Sequence, residues 1–260
     1  AFYNEAFLSP SPWKAYQHFG SYVPQTNAQG EVTGLQSFFF HLPNPDLKPE
    51  KLRTFEGSMS YTKGGLLVGV NGFYNRVTNL INYFSQDTAR NSFKGHPVFF
   101  VETPQNEGEL VTYGGTAKIE YRRKFNTNMN FDSYLYYTYT DGNFNDGILP
   151  YTAKHAIRAG FSLSGKRFVV SPRAVYRTAS YSAQIDPTSG NPFQNKANLM
   201  LNAHVAFHIV NTDKLKLSIF ADGFNLLNTK YYGISNIGSE GFPLAPQDPL
   251  RGRLGIDVEF

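Results

Sequence analysis

Cysteine is absent from the 260 residues, which excludes disulfide frameworks, thiolate nucleophiles and cysteine-ligated zinc together. No stretch approaches the ~20 consecutive apolar residues of a spanning helix. The apolar runs are short and broken by polar residues at every second position. A helical membrane protein is excluded by this, whereas a membrane barrel is not, because barrel strands carry only an alternating and much weaker signal. Charge is also sparse, at 17% of residues with a net of +4 and no focus. The densest basic group, Arg122, Arg123 and Lys124, runs into an Asn-rich turn. It reads as a solvated strand end and not as a nucleic-acid face, which would need aromatic stacking platforms beside it. No G-x-S-x-G, P-loop or dinucleotide fingerprint occurs, so the chain is not read as an enzyme.

Aromatic residues are plentiful instead: 23 Phe and 17 Tyr, with 23 Gly and 15 Pro, favour strands and turns over helices. Periodicity confirms the preference. Val111, Tyr113, Gly115, Ala117, Ile119 and Tyr121 alternate with Thr112, Gly114, Thr116, Lys118, Glu120 and Arg122. On a helix this pattern would scatter charge around the cylinder; on a strand it sorts apolar from polar. The same sorting recurs from Leu199 to Ile209, from Ile157 to Leu163, and at the end, where Leu254, Ile256, Val258 and Phe260 oppose Arg253, Gly255, Asp257 and Glu259.

Such runs predict about nine strands, at 51–63, 66–82, 109–123, 129–140, 153–164, 167–179, 198–210, 214–226 and 250–260. Most are long enough to cross a bilayer at a tilt. Pro172 inside the sixth predicts a local bulge or bend. Connections alternate in length. Tight turns fall at 63–65, 124–128, 165–166 and 211–213, and long segments near 83–108, 141–152, 180–197 and 227–249. The fold class expected is therefore all-β: a transmembrane antiparallel β-barrel segment with short periplasmic turns and long extracellular loops. Tyr134, Tyr136, Tyr137, Tyr139, Tyr231 and Tyr232 crowd strand ends, as interfacial girdles require.

A metal or cofactor finds little support. His204 and His208 share a strand face but stand ~13 Å apart, too far to hold one ion, so they read as polar lumen residues. Asp141 to Gly147 imitates a calcium loop with its Gly one place late and Thr152 where a Glu belongs; a surface turn is the better reading. No metal site, catalytic residue or cofactor is assigned.

One segment is specific. Asn44-Pro45-Asp46-Leu47-Lys48-Pro49-Glu50 resembles the NPxLKPE box of TonB-dependent outer-membrane receptors. Upstream, Phe7-Leu8-Ser9-Pro10-Ser11-Pro12 is similar to the family's FRAPS segment, with Leu and Ser replacing Arg and Ala. Downstream, Asn225-Leu226-Leu227-Asn228-Thr229-Lys230-Tyr231-Tyr232 resembles the stretch before the family's last long loop, and the terminal strand through Leu254, Ile256, Val258 and Phe260 is similar to its barrel-assembly signal. The resemblance implies a barrel of about 22 strands with an N-terminal plug, of which residues 1–260 would be the C-terminal portion, the plug and first strands lying outside them. It implies location in the bacterial outer membrane, among lipid and lipopolysaccharide. It implies as partners the remaining N-terminal strands and plug and, through the plug, the TonB complex; no nucleic acid is expected. The function expected is TonB-driven import of a scarce extracellular ligand, a siderophore-type iron complex first. The alternative is a self-contained small barrel acting as a passive pore or adhesin. Ligand-binding candidates in the loops are His18, His41, His96, Tyr181 and Tyr232; in haem receptors of the family a liganding His lies in the interval that holds His18 and His41.

Overall fold

A computed structural model of the chain describes residues 1–85, 92–93, 95–212, 215–234 and 244–259. Ten strands follow one another as an antiparallel meander: β1 (Phe2–Leu8), β2 (Glu50–Lys63), β3 (Leu66–Ser85), β4 (Val101–Asn126), β5 (Met129–Phe144), β6 (His155–Ser164), β7 (Phe168–Arg177), β8 (Asn198–Asn211), β9 (Lys216–Phe224) and β10 (Arg251–Glu259). Each pairs with its neighbours in sequence, and among the described residues no ladder joins β1 to β10. Over the described residues the sheet is open, with two unpaired edges.

The sequence predicts nine of these strands and misses β1. Phe2–Leu8 pairs along its whole length with Glu50–Glu56, but its mixed pattern on an exposed edge lacks a clean alternation. The strands also overrun their expected ends: β4 spans 26 residues, because its first turns pair with β3 beyond the apolar belt, past a bulge around Gly108. Pro172 produces no bulge. The β6–β7 ladder keeps its register from Gly160↔Arg173 to Leu163↔Val170 and merely skips the pairs between. Proline has no N–H to give there, and Ser171 Oγ donates to Ser162 Oγ at 2.8 Å across the gap.

The register aligns the apolar positions of successive strands. Met59, Val70, Ala117, Tyr137, Ile157, Tyr176 and Leu199 form one row straight across β2 to β8. Tyr61, Val68, Ile119, Leu135, Ala159, Ala174 and Leu201 form the next. Much of this face is left uncovered: in the rows Met59 is 73% exposed and Tyr61 59%, and on β10 Leu254 is 85% and Ile256 70% exposed. A water-soluble sheet would pack such a face away; a lipid-facing one leaves it bare.

Aromatic residues bound the belt. Tyr3, Phe55, Tyr74 and Tyr113 lie in register on its upper side, with ring centroids 4.6 Å (Tyr3–Phe55) and 6.5 Å (Phe55–Tyr74) apart. Two residues further out, Arg53 faces Arg76, and the like charges are neutralised by Glu5 at 2.9 Å and Glu109 at 2.8 Å. On the lower side Tyr121, Phe131 and Phe161 follow one another at 6.4 and 6.0 Å, and Arg123 stands over the Phe125 ring. The eight residue steps from Tyr113 to Tyr121 span ~27 Å along the strand, or about 20 Å once tilted, near the height of an outer-membrane apolar band. The girdle expected from Tyr134, Tyr136, Tyr137 and Tyr139 divides. Tyr137 and Tyr139 lie on the apolar face, whereas Tyr134 and Tyr136 point to the polar face, where the Tyr136 hydroxyl donates to Glu120 at 2.7 Å. Adjacent tyrosines on a strand cannot share a face.

Short connections gather at one rim. The β2–β3 turn is Gly64-Gly65 with φ of 58° and 86°, the two-glycine geometry whose twist matches a hairpin. Long connections gather at the other: residues 9–49, 86–100, 145–154, 178–197 and 225–250.

Candidate functional site

The polar face carries cross-strand networks. His204 Nδ1 meets Asp222 Oδ1 at 2.7 Å, and Arg253 donates to Asp222 Oδ2 through both Nη2 at 2.6 Å and Nε at 2.9 Å. His208 Nδ1 meets Ser218 Oγ at 2.7 Å. Each histidine reaches across to β9, and the two do not converge. Among the described residues no group of three or more His, Cys, Asp or Glu is placed to hold a metal.

At the long-loop rim the sequence motifs become polar clasps. In the 44–50 segment Asn44 folds back on itself, its Oδ1 accepting from the Asp46 N–H at 3.0 Å, while its Nδ2 donates to the Pro104 carbonyl at 3.0 Å. Pro45 and Leu47 space this turn. Asn106, at the bulge of β4, then grips the segment: its Oδ1 accepts from Lys48 N at 2.7 Å, and its Nδ2 donates to the carbonyls of Lys48 at 2.9 Å and Asn79 at 2.8 Å. Asn79, left-handed at φ 59°, reaches the Pro49 carbonyl, and Glu50 Oε1 accepts from Ile81 N at 2.8 Å. The motif thus docks the first loop onto the tops of β3 and β4 and launches β2.

The second motif does the same for the last loop. Asn225 is buried and left-handed at φ 49°. Its Nδ2 donates to the carbonyls of Thr229 at 2.9 Å and Asp248 at 3.2 Å, and its Oδ1 accepts from Thr229 N at 2.9 Å. Asn228 Oδ1 accepts from Leu250 N at 3.1 Å. Phe7-Leu8 ends β1, and Ser11 caps the one-turn helix Pro12–Tyr16 by accepting from Lys14 N. In β10, Leu254, Ile256 and Val258 share the apolar face; Phe260 lies outside the described residues.

The ligand candidates separate into two groups. His41 is fully buried, stacked on Trp13 with centroids 5.4 Å apart, and its Nδ1 meets Glu102 Oε1 at 2.9 Å. His18 lies against Phe40 at 5.5 Å and His96 against Tyr22 at 5.0 Å. All three belong to a small knot in which Phe40, Val98 and Val101 form an apolar core between the first and second loops. The pairing of Phe40–His41 with Val101–Glu102 is parallel. His41 is consequently unavailable to an extracellular ligand, and the knot is packing. Tyr83, near Glu102, has its phenol raised by desolvation and then by that carboxylate.

Tyr181 and Tyr232 come together elsewhere. They line a cavity of about 410 Å³ over the upper ends of β5 to β8, with Tyr151, Arg177, Asn195 and Asn198. Tyr151 is left-handed at φ 59°, and its N–H donates to the Tyr181 carbonyl. Gln194 Nε2 donates to the Tyr181 hydroxyl at 3.1 Å, and Asn195 Nδ2 donates to the Tyr232 carbonyl at 2.9 Å, tying the fourth long connection to the fifth. Nearby, Asp186 accepts from Thr188 N and Ser189 Oγ, which holds its carboxyl below the ordinary carboxylate range and closes the turn 186–191. The sequence flags the two tyrosines by position alone and misses Arg177, Asn195 and Asn198, for which no motif exists.

An open antiparallel meander with a bare apolar belt, aromatic girdles and all long loops at one rim is a segment of an outer-membrane β-barrel. The family described as "TonB dependent receptor-like, beta-barrel" matches residues 1–226, and the chain belongs to it. Members of this family are receptors and transporters of the bacterial outer membrane. No curated protein matches the chain in sequence. Among solved structures, a mutant ferric enterobactin receptor from Pseudomonas aeruginosa is similar at TM-score 0.62 and 15% identity, over 98% of this chain and 37% of that one. The copper transporter OprC is similar at 0.61 and 17%, over 99% and 36%. The outer membrane transporter YddB from Escherichia coli is similar at 0.60 and 12%, over 85% and 34%. The chain thus spans about a third of the length of these structures, and at such identities the likeness is one of fold.

Proposed function

We propose that this chain is the C-terminal portion of a receptor that captures a scarce extracellular ligand, a siderophore-type iron complex, for TonB-driven import. The observation carrying this reading is the asymmetry of the rims. Five long connections stand at one end, the first, second and last of them fastened by the clasps and the Phe40 knot, while the other end is trimmed to tight turns. Short turns and longer outer loops are common to outer-membrane barrels, passive pores included; the fastening of the loops to one another and to the strand tops is what favours capture of a ligand over free passage. Structural neighbours include proteins described as a ferric citrate transporter, FecA, and, from Escherichia coli, a ferric-catecholate import receptor, Fiu.

The open edges support the rest. A backbone N–H or C=O left unpaired in hydrocarbon costs several kcal/mol, so neither β1 nor β10 can face lipid unpaired. The partners proposed are further barrel strands and a plug on the N-terminal side, and the TonB complex acting through that plug; outer-membrane lipid and lipopolysaccharide cover the apolar belt. The test is uptake of radiolabelled iron by cells expressing the full receptor. Uptake that stops on loss of TonB, with surface binding retained, is the expected result. Uptake indifferent to TonB would favour a pore and overturn the proposal.

A further inference from the structure

The two rims differ in how their charges are partnered. At the long-loop rim Arg53 meets Glu5, Arg76 meets Glu109 and Lys154 meets Asp141, at 2.8–2.9 Å. The other lysines of that rim are balanced by acids such as Asp46, Glu107 and Asp146. At the short-turn rim Lys63, Arg123, Lys124, Lys166 and Arg167 are all exposed. Among the described residues none of the five has a carboxylate partner. Asp132 and Glu259, the acids beside these turns, are held by Arg122 and Lys216. Asp213 and Lys214, outside the described residues, add one charge of each sign.

Two of these cations lie on the lipid-facing side of the sheet. Lys63 continues the outward row of Met59 and Tyr61, and Arg123 continues that of Ile119 and Tyr121. Leu66 links them, opposite Lys63 on one side and Tyr121 on the other. Lys63 is therefore level with the lower girdle, and Arg123, opposite Phe131, stands two residues further down. The register puts their Cα atoms two strand spacings apart across the sheet and two residues apart along it, ~12 Å in all. Two long side chains can close that distance around one headgroup. The Arg123 guanidinium lies 5.2 Å over the Phe125 ring, a cation–π contact that holds it at the edge of the apolar belt. A cation at this depth, with aromatic rings above it, sits where a bilayer places its phosphates.

We infer that the short-turn rim is a docking surface for an anionic glycerophospholipid of the membrane's periplasmic leaflet. Lys63 and Arg123 grip its phosphate while its chains lie along the apolar rows above, and Lys124, Lys166 and Arg167 extend the positive collar along the rim. A zwitterionic headgroup carries its own cation and gains less from the collar. An acidic protein would have to displace lipid to reach Lys63 and Arg123, because both share their face with the bare apolar belt. Each cation beside an anionic headgroup contributes about fivefold in affinity. The inference needs only the outer-membrane location, and it holds whether the barrel imports a chelate or passes solutes freely.

The experiment uses the full receptor, immobilised in a neutral detergent, and radiolabelled phosphatidylglycerol or phosphatidylethanolamine of the same chains. The expected result is retention of phosphatidylglycerol in preference to phosphatidylethanolamine. The preference should largely vanish at 1 M salt, where screening acts within about 3 Å. Lys63→Gln with Arg123→Gln should cut it about 25-fold. Lys63→Arg with Arg123→Lys should keep it, and Lys196→Gln at the other rim should leave it unchanged. Heat-modifiable migration on gels establishes that each variant barrel is folded. A wild type without preference overturns the inference, as does a preference unchanged in the folded double glutamine variant. Equal loss from Lys196→Gln would show an effect of net charge and no site. Displacement by inorganic phosphate beyond that of sodium chloride at equal ionic strength would make this a site for a free anion and overturn the lipid assignment. None of these outcomes touches the TonB dependence of uptake, which is read separately.

Discussion

Removing the Asn225 side chain should unfasten the last extracellular loop without unfolding the barrel. Asn225 makes three side-chain hydrogen bonds, to Thr229 N, Thr229 O and Asp248 O, and it is only 4% exposed. At about 0.5–1.5 kcal/mol each, their loss costs roughly 1.5–4.5 kcal/mol. Its φ of 49° adds a second effect. Asn tolerates the left-handed region, glycine prefers it, and alanine pays about 1–2 kcal/mol there. Asn225→Gly therefore isolates the hydrogen bonds, and Asn225→Ala adds the backbone cost.

The loss should be local. Leu226 N still donates to the Leu201 carbonyl, and the β9–β10 ladder runs from Lys216 to Phe224 below the clasp. Hydrogen exchange of the Thr229 amide in the purified full receptor reads the clasp directly. A loss of ~3 kcal/mol corresponds to exchange about 100-fold faster, since each 1.4 kcal/mol is tenfold. Asn225→Ala should exceed Asn225→Gly, and limited proteolysis should cut within 225–250. Thr229 exchange within threefold of wild type in both variants would refute the reasoning, as would alanine and glycine behaving alike.

Other substitutions test other parts. Ile256→Arg puts a charge on the apolar face and should impair assembly by ~2–4 kcal/mol near the midplane, while Asp257→Asn on the opposite face should be tolerated; equal damage, read by heat-modifiable mobility, would sink the face assignment. Asn106→Leu removes the grip on Lys48 and Asn79 and should raise exchange at the Lys48 amide, against no change if the motif merely passes over β4. Glu102→Leu leaves the buried His41 without its partner and should loosen the Phe40 knot by ~1–3 kcal/mol, measured as faster proteolysis of residues 9–49 in a barrel that still migrates as folded. Deleting 86–104 or 232–246 should abolish ligand binding with the barrel retained; intact affinity would show that the extracellular rim is misplaced.

The sheet was legible because a barrel strand writes its environment into alternate residues. Lipid accepts only apolar side chains, so Val111 to Tyr121 carry a period of two that no helix would produce. Where that demand lapses, legibility lapses. Phe2–Leu8 has Asn4 and Glu5 in mid-strand, and β4 above Leu110 rises clear of the belt, so neither shows a clean pattern. Pro172 reads in sequence as a distortion, yet the flanking register absorbs it as a missing bond. The site is harder still. Arg177 ends β7, Asn195 lies in the loop after it and Asn198 opens β8, and only tertiary folding brings them near Tyr232. His41 shows the opposite error: a residue suited to ligand chemistry is consumed by packing under Trp13.

Two of the motifs that carry the family resemblance fasten loops to strands, and of their residues only Tyr232 lines the cavity with Arg177. Asn44 to Glu50 docks the first loop; Asn225 to Thr229 closes the last; both act through backbone carbonyls and amides that any sequence supplies. A clasp of this kind is indifferent to what the receptor binds, because its partners are main-chain groups whose geometry is the same whatever the loops contain. It can therefore be shared by receptors for unlike ligands. Specificity has to reside in side chains that the clasps hold in place but do not contact through the main chain. This is why a resemblance strong enough to assign the fold leaves the ligand unassigned. It is also why exchanging the loop residues 178–197 should transfer ligand preference between receptors, whereas exchanging 44–50 should not; a preference that follows 44–50 in uptake competition would refute this division.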